Sequence, residues 1–228
     1  MSAGLAILAA GSSSRAGIDK VSLELGGQPV LLWSLAAAEA SGAYTAIVVV
    51  APADRVSAIA SLVGARARVV AGGATRTASS WAGLDALAGH DVIAIHDGAR
   101  PFASPSLFTA VAAVAAEYGS AVPGLAIVET VRRADEAGHA VEEVDRGGLW
   151  TAQTPQAFRR TLLERARAFA GDRSFTDDAA AVIAMNEDVR LVPGERRNFK
   201  LTSTEDLAYA RELAEKGLVA ISAQPVRR

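Results

Sequence analysis

The sequence DVIAIHD, residues 91–97, is an apolar run that ends in a histidine and an aspartate. Three similar runs are GLAILAA at 4–10, AIVVVA at 46–51 and RARVVA at 66–71. Each run is followed by an Ala- and Leu-rich stretch with helical character, and this alternation predicts βαβ units. Because the runs are apolar almost throughout, we expect an α/β fold whose mostly parallel sheet has helices on both faces.

The stretches between and after these runs predict the helices. They are expected at Pro29 to Ala40, Ala53 to Val63, Thr75 to Leu87, Pro105 to Tyr118, Pro155 to Ala170, Asp177 to Met185 and Thr204 to Lys216.

Residues 124–148 break the alternation, because two short strand-like arms flank an Asp-Glu-Ala-Gly turn at 135–138. Few residues of this segment could face a core, so we predict a protruding β-hairpin arm at about 124–148. An isolated two-stranded hairpin is only marginally stable in water, and a second copy of the chain is the simplest partner to pack on it. We therefore expect a homodimer through the arm.

Composition limits the function classes. The chain has 228 residues, half of them apolar, which fits one domain over 1–228. Its 23 basic and 25 acidic residues leave a formal net charge of −2, which disfavours binding to nucleic acid or to anionic lipid. The absence of cysteine excludes a disulfide framework and a thiol nucleophile. With no basic leader region and no long apolar span, we expect a soluble cytoplasmic protein without a membrane partner.

The first candidate motif is LAAGSSSR at 8–15, with Lys20 five residues after Arg15. Its small side chains would let backbone amides approach an anion, and Arg15 and Lys20 could bracket a triphosphate. The glycine pattern is neither a P-loop nor a dinucleotide fingerprint, which disfavours a nicotinamide-dependent oxidoreductase. A strand-to-helix turn needs glycine and serine as well, so this structural explanation stays open.

The second motif is HDGARP at 96–101, placed where an apolar strand should end. Ligands of open α/β sheets bind at such carboxyl ends. Asp97 could hold a ribose hydroxyl or a metal-bound water, and Arg100 could grip a phosphate as a fork. The alternative is an Asp-Gly turn with a surface arginine.

The third motif is DRGGLWTAQTPQ at 145–156. Arg146 lies beside glycines on the return arm of the hairpin and could reach a ligand. Thr154 followed by Pro155 is a favourable N-cap and N1 pair, which predicts that a helix starts there. Trp150, Gln153 and Gln156 have no such explanation.

Three further segments are GGATRTASS at 72–80, TDD at 176–178 and NFKLT at 198–202. Individually they predict a glycine turn before a helix, an N-cap with acidic first-turn residues, and a capping box from Thr202 to Glu205. Because four of the quoted pieces close strands or open helices, the set as a whole favours a nucleotide site.

In order and spacing, these segments resemble the cytidylyltransferases that make 4-diphosphocytidyl-2-C-methylerythritol in the non-mevalonate isoprenoid pathway. The resemblance covers nearly the whole chain, from LAAGSSSR through HDGARP and DRGGLWTAQTPQAF to FTDDAA and NFKLTSTEDL. The patterns HD-x-ARP and TPQ-x-F are shared with a sister family, the ribitol-5-phosphate cytidylyltransferases of teichoic-acid synthesis.

The resemblance implies a Rossmann-like nucleotidyltransferase fold, a homodimer clasped through the hairpin arm, and Mg²⁺-dependent transfer from CTP to a sugar (polyol) phosphate. By the family's motifs, Arg15 and Lys20 would stabilise charge on the α-phosphate, and Arg146 and Lys200 would position the sugar phosphate. The nucleotide would be held by Ala9, Ala10, Gly11, Gly73 and Ser79, with Asp97 and Gly98 at the ribose and Asp97 at the metal. Further sugar-phosphate contacts would come from Arg100, Thr130, Thr154 and Thr176, with Thr130 and Arg146 reaching across from the second subunit.

Several residues depart from the family's pattern. Leu8 and Asp19 stand where the family has proline, Val21 where it has glutamine, and Ala74 and Arg197 where it has acidic residues. These departures leave base selectivity and metal geometry open. They keep two alternatives in play: cytidylyl transfer to ribitol-5-phosphate, and a nucleotide-binding regulatory domain without turnover.

Overall fold

A computed structural model describes residues 1–10 and 23–219 of the chain. The strands are β1 (Ala3–Leu8), β2 (Glu24–Leu25), β3 (Gln28–Pro29), β4 (Ala46–Ala51), β5 (Arg68–Ala71), β6 (Val92–Asp97), β7 (Ser120–Ala126), β8 (Val131–Ala134), β9 (Ala140–Val144), β10 (Trp150–Ala152), β11 (Gln156–Arg159) and β12 (Leu191–Pro193). The α-helices are α1 (Val30–Ser41), α2 (Val56–Val63), α3 (Arg76–Ala86), α4 (Pro105–Tyr118), α5 (Arg160–Ala170), α6 (Asp178–Ile183) and α7 (Thr204–Glu215).

The central sheet has the strand order β10-β7-β11-β6-β1-β4-β5, and β12 pairs with β7. Strand β1 runs parallel to both β4 and β6, and β4 runs parallel to β5. Strand β11 is antiparallel to its neighbours β6 and β7, and β10 is antiparallel to β7. The four apolar runs form the parallel half, which confirms the predicted mostly parallel sheet.

Alternate residues of β1 point into two separate cores. Leu5 and Ile7 pack in one cluster with residues of α1, α2 and α4. Ala6 and Leu8 pack in the other with residues of α3, α5 and α6. Side chains alternate across a strand with a period of two, so a strand covered on both faces must be apolar at every position. Helices on both faces are therefore confirmed.

Three predictions near helix starts are wrong. The helix predicted from Pro155 to Ala170 begins only at Arg160, because residues 156–159 form β11 in the slot between β6 and β7. Phe158 is fully buried there. The capping box of α7 is made by Ser203 and Asp206, one residue later than the predicted Thr202 and Glu205. The first three residues of the predicted Ala53 to Val63 helix also differ, since a 3₁₀ turn occupies Ala53–Arg55.

The segment predicted as an arm contains a separate two-stranded sheet, β8 with β9. Its two faces each carry a cross-strand ion pair, Arg133 with Glu142 at 2.6 Å on one and Arg132 with Glu143 at 3.4 Å on the other. Most residues of both strands are exposed. No helix among residues 1–10 and 23–219 combines the length and apolar character that a membrane crossing requires.

Candidate active site

Several residues predicted to bind nucleotide meet where the parallel strands end. Leu8 and Asp97 are paired across β1 and β6, and the Gly98 amide donates to the Leu8 carbonyl at 2.9 Å. A Cβ on Gly98 would lie 3.0 Å from that same carbonyl oxygen, so any larger residue would crowd the close approach of the two strands. Ala9, next along, donates its amide to the Val50 carbonyl at 2.8 Å. The sheet therefore brings Ala9, Asp97 and Gly98 to one edge, where α/β folds bind ligands.

The glycine turn before α3 packs against the end of β1. A Cβ on Gly72 would lie 2.7 Å from Ser79 Oγ and 2.9 Å from Ala10 Cβ, and a Cβ on Gly73 would lie 2.4 Å from Ala78 Cβ. Ser79 is buried and donates its hydroxyl to the Thr75 carbonyl at 3.0 Å. The Gly73 carbonyl is 3.4 Å from the same hydroxyl, so the Ser79 proton has an acceptor in the helix and one in the glycine turn.

Asp97 lies at the centre of a charge cluster. Its Oδ1 is 3.3 Å from Arg76 Nε, and its Oδ2 is 2.9 Å from Lys200 Nζ and 3.7 Å from Arg100 Nε. Burial raises the pKa of Asp97, but the charges of Arg76, Lys200 and Arg100 outweigh that effect and hold the pKa well below its usual value. The carboxylate is therefore ionised throughout the physiological pH range.

The two predicted phosphate-binding cations of this cluster differ in how exposed their side chains are. Arg100 is largely buried, donates from Nη1 to the Asn198 carbonyl at 2.8 Å, and has its pKa lowered by burial. Lys200 is 40% exposed at its side chain, while the next residue, Leu201, is buried and donates its amide to the Ala99 carbonyl at 2.9 Å. This backbone anchor holds Lys200 beside Asp97 with its ammonium group open to an incoming anion.

His96 and Thr154 lie beneath the cluster. His96 Nε2 is 3.2 Å from the Arg100 carbonyl and must donate to it, which leaves Nδ1 to accept from the Thr154 hydroxyl at 3.1 Å. The Thr154 oxygen in turn accepts the Asp97 amide at 3.0 Å. Burial lowers the pKa of His96 to about 4, so the ring is neutral at pH 7. Thr154 is 3% exposed, and its hydroxyl supports Asp97 from below.

Buried amide side chains, which the sequence left unexplained, tie the surrounding loops together. Gln156 donates to Asp177 Oδ2 at 2.9 Å and accepts from the Ala179 amide at 3.1 Å. Gln153 accepts from the Glu195 amide at 3.0 Å. Asn198 donates to the Thr154 carbonyl at 2.8 Å. The segment that carries Lys200 is thus held against residues 153–154, just before β11, by hydrogen bonds of the Gln153 and Asn198 side chains.

Arg76 and Asp178 belong to the cluster although sequence reasoning did not select them as site residues. Arg76 Nη2 is 2.9 Å from Asp178 Oδ2, in addition to its contact with Asp97. Burial alone would lower the pKa of Arg76, but Asp178 and Asp97 raise it above its usual value. The only sequence signal was position, because Arg76 directly follows the glycine turn and its Thr75 N-cap.

The other predicted site residues lie elsewhere or outside the described residues. Arg146 is exposed beyond β9 and donates to the Val128 carbonyl, and Thr130 is exposed just before β8. Thr176 is exposed next to the N-cap of α6. Gly11, Arg15 and Lys20 fall within 11–22, which lies outside the described residues.

Asp97 is the one predicted metal ligand. In residues 1–10 and 23–219 no group of three or more His, Cys, Asp or Glu side chains could hold a metal ion. Both oxygens of Asp97 already face cations. Mg²⁺ is commonly bound by one or two carboxylates together with substrate phosphates, so Asp97 suits this ion when a triphosphate supplies the remaining ligands and negative charge.

A family model and individual relatives match this chain, and they point to the same protein family. The model of the 2-C-methyl-D-erythritol 4-phosphate cytidylyltransferase family matches residues 4–216. The enzyme of that name from Geobacillus kaustophilus is 40% identical over 214 residues, which are 90% of this chain and 93% of the relative. A bifunctional enzyme IspD/IspF from Anaeromyxobacter is 46% identical over 219 residues, which are 92% of this chain. The chain spans 57% of the length of that bifunctional relative.

Solved structures agree with the fold. The crystal structure of 2-C-methyl-D-erythritol 4-phosphate cytidylyltransferase from Thermus thermophilus has a TM-score of 0.79 and 34% identity, and covers 94% of this chain and 100% of its own. The 4-diphosphocytidyl-2C-methyl-D-erythritol synthase from Anaerococcus prevotii has a TM-score of 0.81 and 27% identity over 94% of this chain and 98% of its own.

Proposed function

The chain belongs to the 2-C-methyl-D-erythritol 4-phosphate cytidylyltransferase family, and we propose that it transfers a cytidylyl group from CTP to 2-C-methyl-D-erythritol 4-phosphate. The products are 4-diphosphocytidyl-2-C-methyl-D-erythritol and pyrophosphate, a step of isoprenoid precursor synthesis. The observation that carries the proposal is the cation cluster around Asp97 at the carboxyl edge of the sheet, with Lys200 open to solvent.

The reaction forms one bond and breaks one. A phosphate oxygen of the acceptor attacks the α-phosphorus of CTP, and the bond between that phosphorus and the bridging oxygen to the β-phosphate breaks. A phosphate monoester has its second pKa near 6, so the attacking oxygen is largely anionic at pH 7 and needs no strong general base. The one histidine of the cluster, His96, is buried and neutral, which suits a structural role.

The main barrier is electrostatic, because two polyanions must approach each other. Lys200 and Arg100 would receive the acceptor phosphate, while Arg15 and Lys20, from residues 11–22, would stabilise the α-phosphate. Preorganised cations are effective here because they need not reorganise as charge develops. Mg²⁺ bound by Asp97 and the triphosphate would neutralise charge on the departing pyrophosphate.

We further propose that the protein acts with Mg²⁺, forms a homodimer through the hairpin arm, and works in the cytoplasm. The exposed β8–β9 sheet supports the dimer, since a hairpin gains stability from a partner and places Arg146 and Thr130 on a surface that a second subunit can use. The absence of cysteine suits a reducing compartment.

The acceptor that the protein uses distinguishes this function from its alternatives. Pyrophosphate release should be measured with CTP and Mg²⁺, using 2-C-methyl-D-erythritol 4-phosphate, ribitol-5-phosphate and no acceptor. We expect release that depends on the methylerythritol substrate. Release only with ribitol-5-phosphate would assign the protein to the sister reaction, and CTP binding without release from either acceptor would identify a binding domain.

A further inference from the structure

The start of α3 is connected to the segment Phe175–Asp178, here called the acceptor loop because it contains the predicted sugar-phosphate contact Thr176. Arg76 is the first residue of α3, fixed by the Thr75 N-cap whose hydroxyl accepts from the Ala78 amide at 3.0 Å. From there it reaches Asp178 at 2.9 Å and Asp97 at 3.3 Å. One guanidinium thus bridges the end of β6 and the start of α6.

Thr77 makes the second connection. Its hydroxyl accepts the Phe175 amide at 2.8 Å and donates to the Phe175 carbonyl at 3.2 Å. Thr77 is 6% exposed, so these bonds are made away from solvent. A single side chain therefore satisfies both backbone groups of Phe175, and the adjacent Thr176 is fixed on one side by this contact and on the other by the Asp177 N-cap of α6.

We propose that Arg76 and Thr77 are positioning residues that hold the acceptor loop and Asp97 in register with the nucleotide side of the active site. Neither is a catalytic residue, because Thr77 is buried and Arg76 spends Nε and Nη2 on the two acids. Arg76 and Thr77 lie just after the glycine turn that is predicted to bind CTP. Helix α3 therefore connects this turn with the acceptor loop, which is predicted to bind the sugar phosphate. The inference rests on the proposed function for the identity of those substrates.

The role of Arg76 concerns the direction of the Asp97 carboxylate. Arg76 contacts Asp97 Oδ1, and the other carboxylate oxygen, Oδ2, therefore faces Lys200 and Arg100. Without Arg76, Asp97 would lose the contact that fixes its orientation, and Lys200 would be less well placed for the acceptor phosphate. The expected consequence is a higher KM for the sugar phosphate through Lys200, together with a higher KM for CTP, because Asp97 is also predicted to lie at the ribose and the metal.

Thr77→Val tests the loop contact, because valine keeps the shape and removes the hydroxyl. We expect the KM for 2-C-methyl-D-erythritol 4-phosphate to rise roughly tenfold, the scale of losing about one buried hydrogen bond, while the KM for CTP changes less than twofold. Thr77→Ser, which restores the hydroxyl, should return the KM to the wild-type value. Thr109→Val is the matched control, since Thr109 hydrogen-bonds to Ser41 and Pro105 on α1 and α4.

Arg76→Ala would leave the buried Asp178 carboxylate without its arginine and could prevent folding. The double variant Arg76→Gln/Asp178→Asn removes both charges together and avoids that problem. It should fold, as judged by thermal unfolding, and should show the same roughly tenfold rise in the KM for the sugar phosphate. A double variant that folds and keeps a wild-type KM would overturn the role of Arg76.

Amide hydrogen exchange makes the test independent of turnover. In Thr77→Val, but not in Thr77→Ser, the Phe175 amide should lose protection, because its acceptor is gone. If the wild-type protein released no pyrophosphate, the proposed function would be wrong. Hydrogen exchange at Phe175 would still show whether Thr77 holds the acceptor loop. Unchanged exchange at Phe175, or a lower melting temperature with an unchanged KM for the sugar phosphate, would show that Thr77 is not a positioning residue.

Discussion

At the scale of single residues, the site is an arrangement of charge. In the part of the site that the structure describes, two acids, Asp97 and Asp178, meet three bases, Arg76, Arg100 and Lys200, so these five side chains carry one net positive charge. The bases are held at short distance by the acids, so they are oriented before a phosphate arrives. This preorganisation is what a reaction between two polyanions needs.

His96 provides a prediction about pH at this scale. Its pKa is about 4 in the folded protein against 6.5 in an exposed histidine, so the folded state binds this proton more weakly than the unfolded state does. The free energy of unfolding should therefore fall as the pH drops from about 6.5 toward 4, by up to about 3 kcal/mol. Asp97 does not interfere with this measurement. Because its pKa is lowered in the folded protein, its contribution to the free energy of unfolding is lost only below about pH 4.

Urea unfolding in the presence of a chelator, from pH 7 to pH 4.5, measures this effect. The His96→Gln variant should show a flatter dependence than the wild type, since surface carboxylates contribute equally to both proteins. Parallel curves for the two proteins would mean that His96 is protonated without penalty in the folded state.

Sequence reasoning placed Asp97, Arg100 and Lys200 in one site, and the structure brings these three together. It did not select Arg76, because an arginine after an N-cap is usually solvated. It gave Thr154 two roles, a helix start from local preference and a sugar-phosphate contact from the family resemblance, whereas the side chain bonds to His96 and to the Asp97 amide. Both cases depend on contacts between residues distant in sequence, which local patterns do not contain.

At the scale of elements, β11 connects the fold to the site. It occupies the slot between β6 and β7, and its first residue, Gln156, reaches the Asp177 cap of the acceptor loop. A Thr-Pro pair followed by a long helical stretch predicts a helix from local preferences alone. The strand forms because the neighbouring strands offer backbone partners and the core takes Phe158.

The stability of this element can be measured through Phe158. Phe158→Ala should lower the free energy of unfolding by about 3–5 kcal/mol, because the ring is fully buried and its removal leaves a cavity. Phe169→Ala on α5 is the control, since Phe169 is 44% exposed, and it should cost about 1 kcal/mol or less. Equal losses in urea unfolding would contradict the placement of Phe158 in the sheet.

At the scale of the whole molecule, the parallel half of the sheet was predictable because each apolar run is covered on both faces. The order β11-β6-β1-β4-β5 was not, since strand pairing is decided by crossover geometry and by competition for one core. The exposed hairpin was predictable because few residues of the segment could face a core, but its partner is a prediction that single-chain contacts do not test.

Arg146 tests the arm as part of a shared site. Arg146→Ala should raise the KM for the sugar phosphate, because an arginine that grips phosphate is lost. Mixed dimers of this variant with Lys200→Ala should regain activity if Arg146 acts across the interface, because one of the two sites then contains both native residues. Activity no higher than the average of the two parent variants would exclude a shared site.

The central claim is that the cluster around Asp97 is the active site of a cytidylyltransferase. Its most direct test is the rate of pyrophosphate release from CTP, Mg²⁺ and 2-C-methyl-D-erythritol 4-phosphate by wild-type protein, Lys200→Ala and Lys216→Ala. Lys216 pairs with Glu212 at the end of α7 and serves as the control for losing a lysine. We predict a roughly 100-fold or greater loss in Lys200→Ala, the scale for one preorganised stabilising group, and less than a twofold change in Lys216→Ala. Near-normal turnover in folded Lys200→Ala would contradict the claim.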